Sequence, residues 1–97
     1  MYRLLVRISV KNFDLLAEYE RIAAAVMTDY QGRILLAHEL ERVGLLGEEL
    51  HIVEFPNEAL FNQYRQDPRL MESKLLREQA VDSMIVTVLG AEKNYYL

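Results

Sequence analysis

Arg7, Arg33 and Glu54 are the side chains of this chain that could grip an acidic ligand or grip each other. An arginine fork can hold both oxygens of a carboxylate. The trio therefore reads either as a structural ion pair, Arg7 with Glu54, or as receptors for a small organic acid. A buried charge must be paired or bind something, because leaving it alone is costly. Arg77 lies near the end of a helical stretch, where a cation is favoured, so it serves as a cap or as an anion receptor. Tyr30 and Tyr64 are expected to border a pocket between sheet and helices, although such tyrosines more often pack than react.

Other chemistry is less well supported. His38 and His51 are candidate cross-strand neighbours, a geometry that can bind a metal. Only Glu39 or Glu49 offers a further ligand, and neither needs to face the same way, so no metal centre is expected. Asp29, Glu39 and Glu54 become general bases only if burial raises a pKa, and nothing in the sequence selects one. Ser9, Ser73 and Ser83 lack a nucleophile-elbow context. The glycines at 32, 44, 47 and 90 form no phosphate-cradling loop. No cofactor is expected.

These residues sit on elements that the pattern of the chain defines. Tyr2, Leu4, Val6 and Ile8 alternate with Arg3, Leu5, Arg7 and Ser9, the mark of a strand with one buried face. A helix is expected from about Asn12, its cap, to Tyr30. Leu16, Tyr19, Ala23, Val26, Met27 and Tyr30 form its buried stripe, with Glu18, Arg21, Ala25 and Thr28 outside. Gly32 is suited to a left-handed helix end. Strands follow at Arg33–Glu41 and Leu50–Phe55. A hairpin centred between Gly44 and Leu45 would pair His38 with His51, Leu36 with Val53 and Ile34 with Phe55. A second helical stretch runs from Asn57 to about Val81, restarted at Asp67-Pro68. Ser83–Leu89 reads as the last strand, with Met84, Val86 and Val88 inward. The tail Ala91–Leu97 is apolar enough to suggest docking.

The order β-α-β-β-α-β is the split βαβ plan of a ferredoxin-like α+β fold. It implies a four-stranded antiparallel sheet, order 4-1-3-2, with helices on one face only. The other face collects Arg3, Leu5, Arg7, Ser9, Arg33, Leu35, Ala37, Glu39, Leu50, Ile52, Glu54, Ser83, Ile85 and Thr87. Such a mixed face is expected to meet a ligand or a second copy.

Composition narrows the classes. The 97 residues make one domain, small enough that association would aid stability. The chain has no cysteine, which removes disulfides, a thiolate nucleophile and thiolate metal sites. A net charge of −4 with no basic cluster argues against nucleic acid. No apolar run is long enough to span a membrane, and Met1–Val10 lacks signal-peptide features, so the cytoplasm is the expected location.

Several short motifs carry a resemblance. They are His51-Ile-Val-Glu-Phe-Pro before a helix, Gly32-Arg33 before a strand, Tyr64, Asp67-Pro68, and Leu76-Arg77 ahead of Asp82–Gly90. From about Tyr30 to Gly90 the chain resembles the bacterial "domain of unknown function 1330" family, which looks like part of the dimeric α/β-barrel superfamily. The resemblance implies a homodimer whose two sheets pack face to face. It also implies that Arg77 matches the family's arginine. Superfamily relatives include small monooxygenases, lactone isomerases and ligand-sensing domains, and the fold does not choose among them. The chain departs from the pattern at Ala37-His38-Glu39-Leu40-Glu41, where a glycine-rich segment is usual. The expected function is binding of a small organic molecule, an acid among the candidates, near the sheet–sheet interface. The alternatives are a cofactor-independent isomerase or monooxygenase and a purely structural module.

Overall fold

The structure, a computed structural model, describes residues 1–95. Its elements are β1 (Tyr2–Val10), α1 (Phe13–Asp29), β2 (Arg33–Val43), β3 (Leu46–Phe55), α2 (Glu58–Arg65), α3 (Pro68–Glu72), α4 (Lys74–Ala80) and β4 (Val81–Val88). The strands form one antiparallel sheet in the order β2-β3-β1-β4, the ferredoxin-like arrangement. Among the described residues, all four helices lie on one face.

Local chemistry sets the helix ends. The Asn12 side chain accepts from the backbone N–H groups of Asp14 and Leu15 and starts α1. Asn57 accepts from Leu60 N–H and starts α2, and Asp67 with Pro68 behind it starts α3. The second helical stretch is thus three short helices, broken at Gln66-Asp67 and at Ser73. At the end of α1, Gly32 N–H donates to Met27 C=O and Gln31 N–H to Thr28 C=O. This is a Schellman ending whose left-handed residue is Gln31, at φ 62°, not the expected Gly32. Gly32 is needed for space instead: a Cβ there would collide with the Phe55 ring and with Met27.

The core has two parts. Ile8, Val10, Phe13, Leu16, Ala80 and Val81 fill one end of the helix–sheet layer. Leu4, Met27, Val53, Phe55 and Phe61 fill the other, bordered by Tyr2, Tyr30 and Tyr64. Arg69 ties α3 to α1: it holds Asp67 through two nitrogens, reaches Asp29 at 2.8 Å, and Asp67 accepts from Tyr30 Oη at 2.7 Å. Tyr30 is therefore a structural residue of this clamp.

The hairpin register differs from expectation. Its turn is centred at Gly44-Leu45 as expected, with Val43 opposite Leu46. Two bulges on β2 then each add one residue, at Glu41-Arg42 beside Gly47 and at Leu35. His38 consequently lies opposite Leu50, Ala37 opposite His51, Leu36 opposite Ile52 and Ile34 opposite Val53. A shift of one residue exchanges the faces. Leu36, His38 and Leu40 join the helix-free face, while Ala37 and Glu39 move to the helix side. The His38–His51 pair does not exist.

Outer β4 is less covered than expected. Met84 is half-buried, but Val86 and Val88 are exposed at the sheet edge. In the tail, Ala91–Tyr95 are exposed rather than docked, and Tyr96 and Leu97 lie outside the described residues.

Candidate functional site

The sheet separates the sequence-predicted residues into two groups. On the helix-free face, Glu54 sits between two arginines. Its Oε2 accepts from Arg3 Nε at 2.6 Å and its Oε1 from Arg33 Nη2 at 2.9 Å. Arg3 lies opposite Glu54 on β1, and Arg33 lies opposite it on β2, so the register itself brings the three together. The two guanidinium groups leave Glu54 only 1% exposed. Their hydrogen bonds, Arg3's first, hold its carboxyl below the usual range. Arg7 takes a different partner. Its Nη2 lies 2.6 Å from Glu48, in a pair open to solvent. The expected Arg7–Glu54 pair is thus replaced by Arg3–Glu54–Arg33. Arg3 points to the face that the alternation assigned it, but its partner depends on the relative stagger of β1 and β3.

On the helix side, the residues surround a cavity of about 670 Å³ between the sheet and the helices. Leu4, Val6, Ile8, Val53 and Phe55 form its floor, and Leu16, Ala23 and Met27 of α1 form a wall. Tyr64 lines it from α2. Arg65, Lys74 and Arg77 put three cations on its border. Met71 of α3 and Val86 of β4 are exposed apolar side chains in the same lining, so the cavity opens between α3–α4 and the β4 edge. Burial raises the pKa values of Tyr19 and Tyr64, which keeps both phenols neutral as hydrogen-bond donors. Of the predicted residues, Tyr64 and Arg77 meet at this cavity. Arg7, Arg33 and Glu54 lie across the sheet from it.

A polar trio stands at the cavity wall: His51 and Glu49, both among the residues weighed as metal ligands, are joined by Glu20, which was not. Glu20 of α1 and His51 of β3 line the cavity, and Glu49 lies two residues from His51 on the same side of β3. His51 Nε2 is 2.7 Å from Glu49 Oε2 and 3.3 Å from Glu20 Oε1. Glu20 Oε1 is shielded from solvent and, among the described residues, has no hydrogen-bond partner. Burial, and then the neighbouring Glu49 carboxylate, push the Glu20 pKa up to about 9. The hydrogen bond to His51 pulls that of Glu49 down. The two carboxyls are thus driven apart, one neutral and one charged near pH 7. The signal in the sequence was there: Glu20 follows Leu16 by four residues and precedes Ala23 by three, so an acid falls on the apolar stripe of α1.

No protein-family description matches the chain, and no curated protein matches it. Solved structures do. A protein of unknown function from Rhodopseudomonas palustris superposes with a TM-score of 0.76 at 18% identity, over 96% of this chain and 84% of that one. The chain has a ferredoxin-like fold. An uncharacterized NIPSNAP domain protein from Burkholderia xenovorans gives 0.71 at 12% identity, over 95% of each chain. An antibiotic biosynthesis monooxygenase gives 0.69 at 14% identity, over 96% of this chain and all of that one. At these identities the likeness concerns the fold, and the site must be argued from its own residues.

Proposed function

We propose that this protein binds a small organic acid in the cavity between its sheet and its helices, and that it works as a cytoplasmic homodimer. The observation that carries the reading is the lining. A cavity of about 670 Å³ is within the range of small-molecule sites. Its walls are mostly aliphatic and aromatic, while Arg65, Lys74 and Arg77 gather at its border in a chain of net charge −4. An apolar body would enter between β4 and α3, and its carboxylate would stay with the cations. Tyr19 and Tyr64, neutral and facing inward, would orient it.

Dimerisation is read from the opposite face. Ile85 and Leu36 are exposed there beside Leu5 and Ile52, and Glu54 is already neutralised by Arg3 and Arg33. A second copy would cover these apolar side chains without burying a lone charge.

One observation favours a second reading, a proton-moving enzyme of the isomerase or monooxygenase type. Glu20 stands on the cavity wall with its proton retained near neutral pH, as a general acid would.

Native mass spectrometry of freshly purified protein tests the main reading. A dimer carrying non-protein mass that Arg77→Leu fails to retain is the expected result. An empty protein that also fails to bind benzoate, with native and Arg77→Leu chains alike, would overturn it.

A further inference from the structure

We propose that Glu20, Glu49 and His51 form a site for a divalent first-row metal ion such as Zn²⁺, Co²⁺ or Mn²⁺. Among the described residues, this is a group of three whose ligand atoms converge within 4.8 Å of one another. The spacing suits a common cation. With metal–ligand bonds of about 2.0–2.2 Å, neighbouring ligand atoms of one ion stand roughly 2.8–3.6 Å apart in octahedral or tetrahedral geometry. The imidazole nitrogen is 2.7 Å from one carboxylate oxygen and 3.3 Å from the other. Small side-chain rotations would seat an ion between them.

Two further observations favour a cation at this position. His51 keeps only 7% of its side chain exposed, and its Nε2 faces these two carboxylates. Glu20 Oε1 is shielded from water, aimed at that nitrogen and, among the described residues, without a hydrogen-bond partner. Buried polar atoms are rarely left so unless an ion or water completes them. A cation would satisfy Glu20 Oε1.

The position is also a working one. The ligands come from α1 and β3, which are packed elements, not loops. Glu20 and His51 border the large cavity, so coordination positions left free by the protein would face it. One nitrogen and two carboxylate oxygens suit the harder divalent ions of the first row and do not suit Cu(I), which seeks sulfur.

The test uses the full chain, stripped with a chelator and titrated with Co²⁺ and Zn²⁺ by calorimetry and visible absorption. The expected result is about one ion per chain, with protons released on binding and a Co²⁺ absorption band. Glu20→Gln and Glu49→Gln should each weaken binding at least about tenfold. Glu72→Gln, an exposed acid at the end of α3, should leave it unchanged. His51→Ala should abolish binding, and circular dichroism reports whether that chain still folds. Should it unfold, the two Gln variants carry the test. No saturable binding, or equal affinity in native and Glu20→Gln chains, would overturn the proposal.

Discussion

Glu20 and His51 meet across the boundary between helix and sheet, with the carboxylate Oε1 3.3 Å from the imidazole Nε2. The contact couples α1 to β3 through ionisable groups, so stability should depend on pH. Glu20 has a folded pKa of about 9, above its ordinary value of 4.5. Between those values the folded chain holds a proton that the unfolded chain has lost. Stability therefore falls as pH rises through that window. Glu20→Gln keeps the neutral shape and removes the titration. It should be more stable than the native chain at pH 8, by on the order of 1–2 kcal/mol, and nearly equal to it at pH 4. Thermal melts of metal-stripped protein at the two pH values check this, and a Glu20→Gln chain less stable at pH 8 would count against it.

The Arg3–Glu54–Arg33 cluster predicts the opposite slope. Its carboxyl is held below the usual range, so its contribution is present above that range and is lost as pH falls through the folded pKa. Glu54→Gln should lower the melting temperature at pH 7 by several degrees and shrink that difference in acid. Arg7→Leu, which removes only the open pair with Glu48, should cost less than about 1 kcal/mol. Equal losses for the two substitutions would contradict the assignment of Arg3 and Arg33, in place of Arg7, to Glu54.

The turn after α1 predicts two changes of opposite sign. Gln31→Gly relieves a left-handed residue and should stabilise by about 0.5–1 kcal/mol. Gly32→Ala sets a methyl against Phe55 and Met27 and should destabilise by about 1–3 kcal/mol. Urea unfolding curves measure both, and a Gln31→Gly chain no more stable than the native one would count against Gln31 as the left-handed residue.

Ile85 is 62% exposed on the helix-free face, opposite Arg7. Ile85→Asp should convert the proposed dimer to a monomer at micromolar concentration while leaving the circular dichroism spectrum unchanged. Light scattering after size exclusion reads the mass. A variant with the same mass as the native chain would place any interface elsewhere.

The sequence by itself determined the elements and their order. Alternation in Tyr2–Ser9, the three- and four-residue stripe of α1, the caps Asn12, Asn57 and Asp67, and the Gly44-Leu45 turn are all local features, and each acts within a few residues. They suffice for a βαββαβ sheet with one covered face. What they leave open is parity and stagger. One extra residue at Glu41-Arg42 sends His38 to the open face and Glu39 to the other, a second at Leu35 returns Ile34 to the covered side, and local propensity carries no mark of either. Stagger between β1 and β3 gives Glu54 to Arg3 and leaves Arg7 with Glu48. The site has the same origin. Glu20 is thirty-one positions from His51 in the chain, and only the packing of α1 on β3 brings the two together. Side chains that far apart meet because a tertiary contact places them. A period of 3.6 can mark Glu20 as inward, but it cannot say which strand residue it will find there.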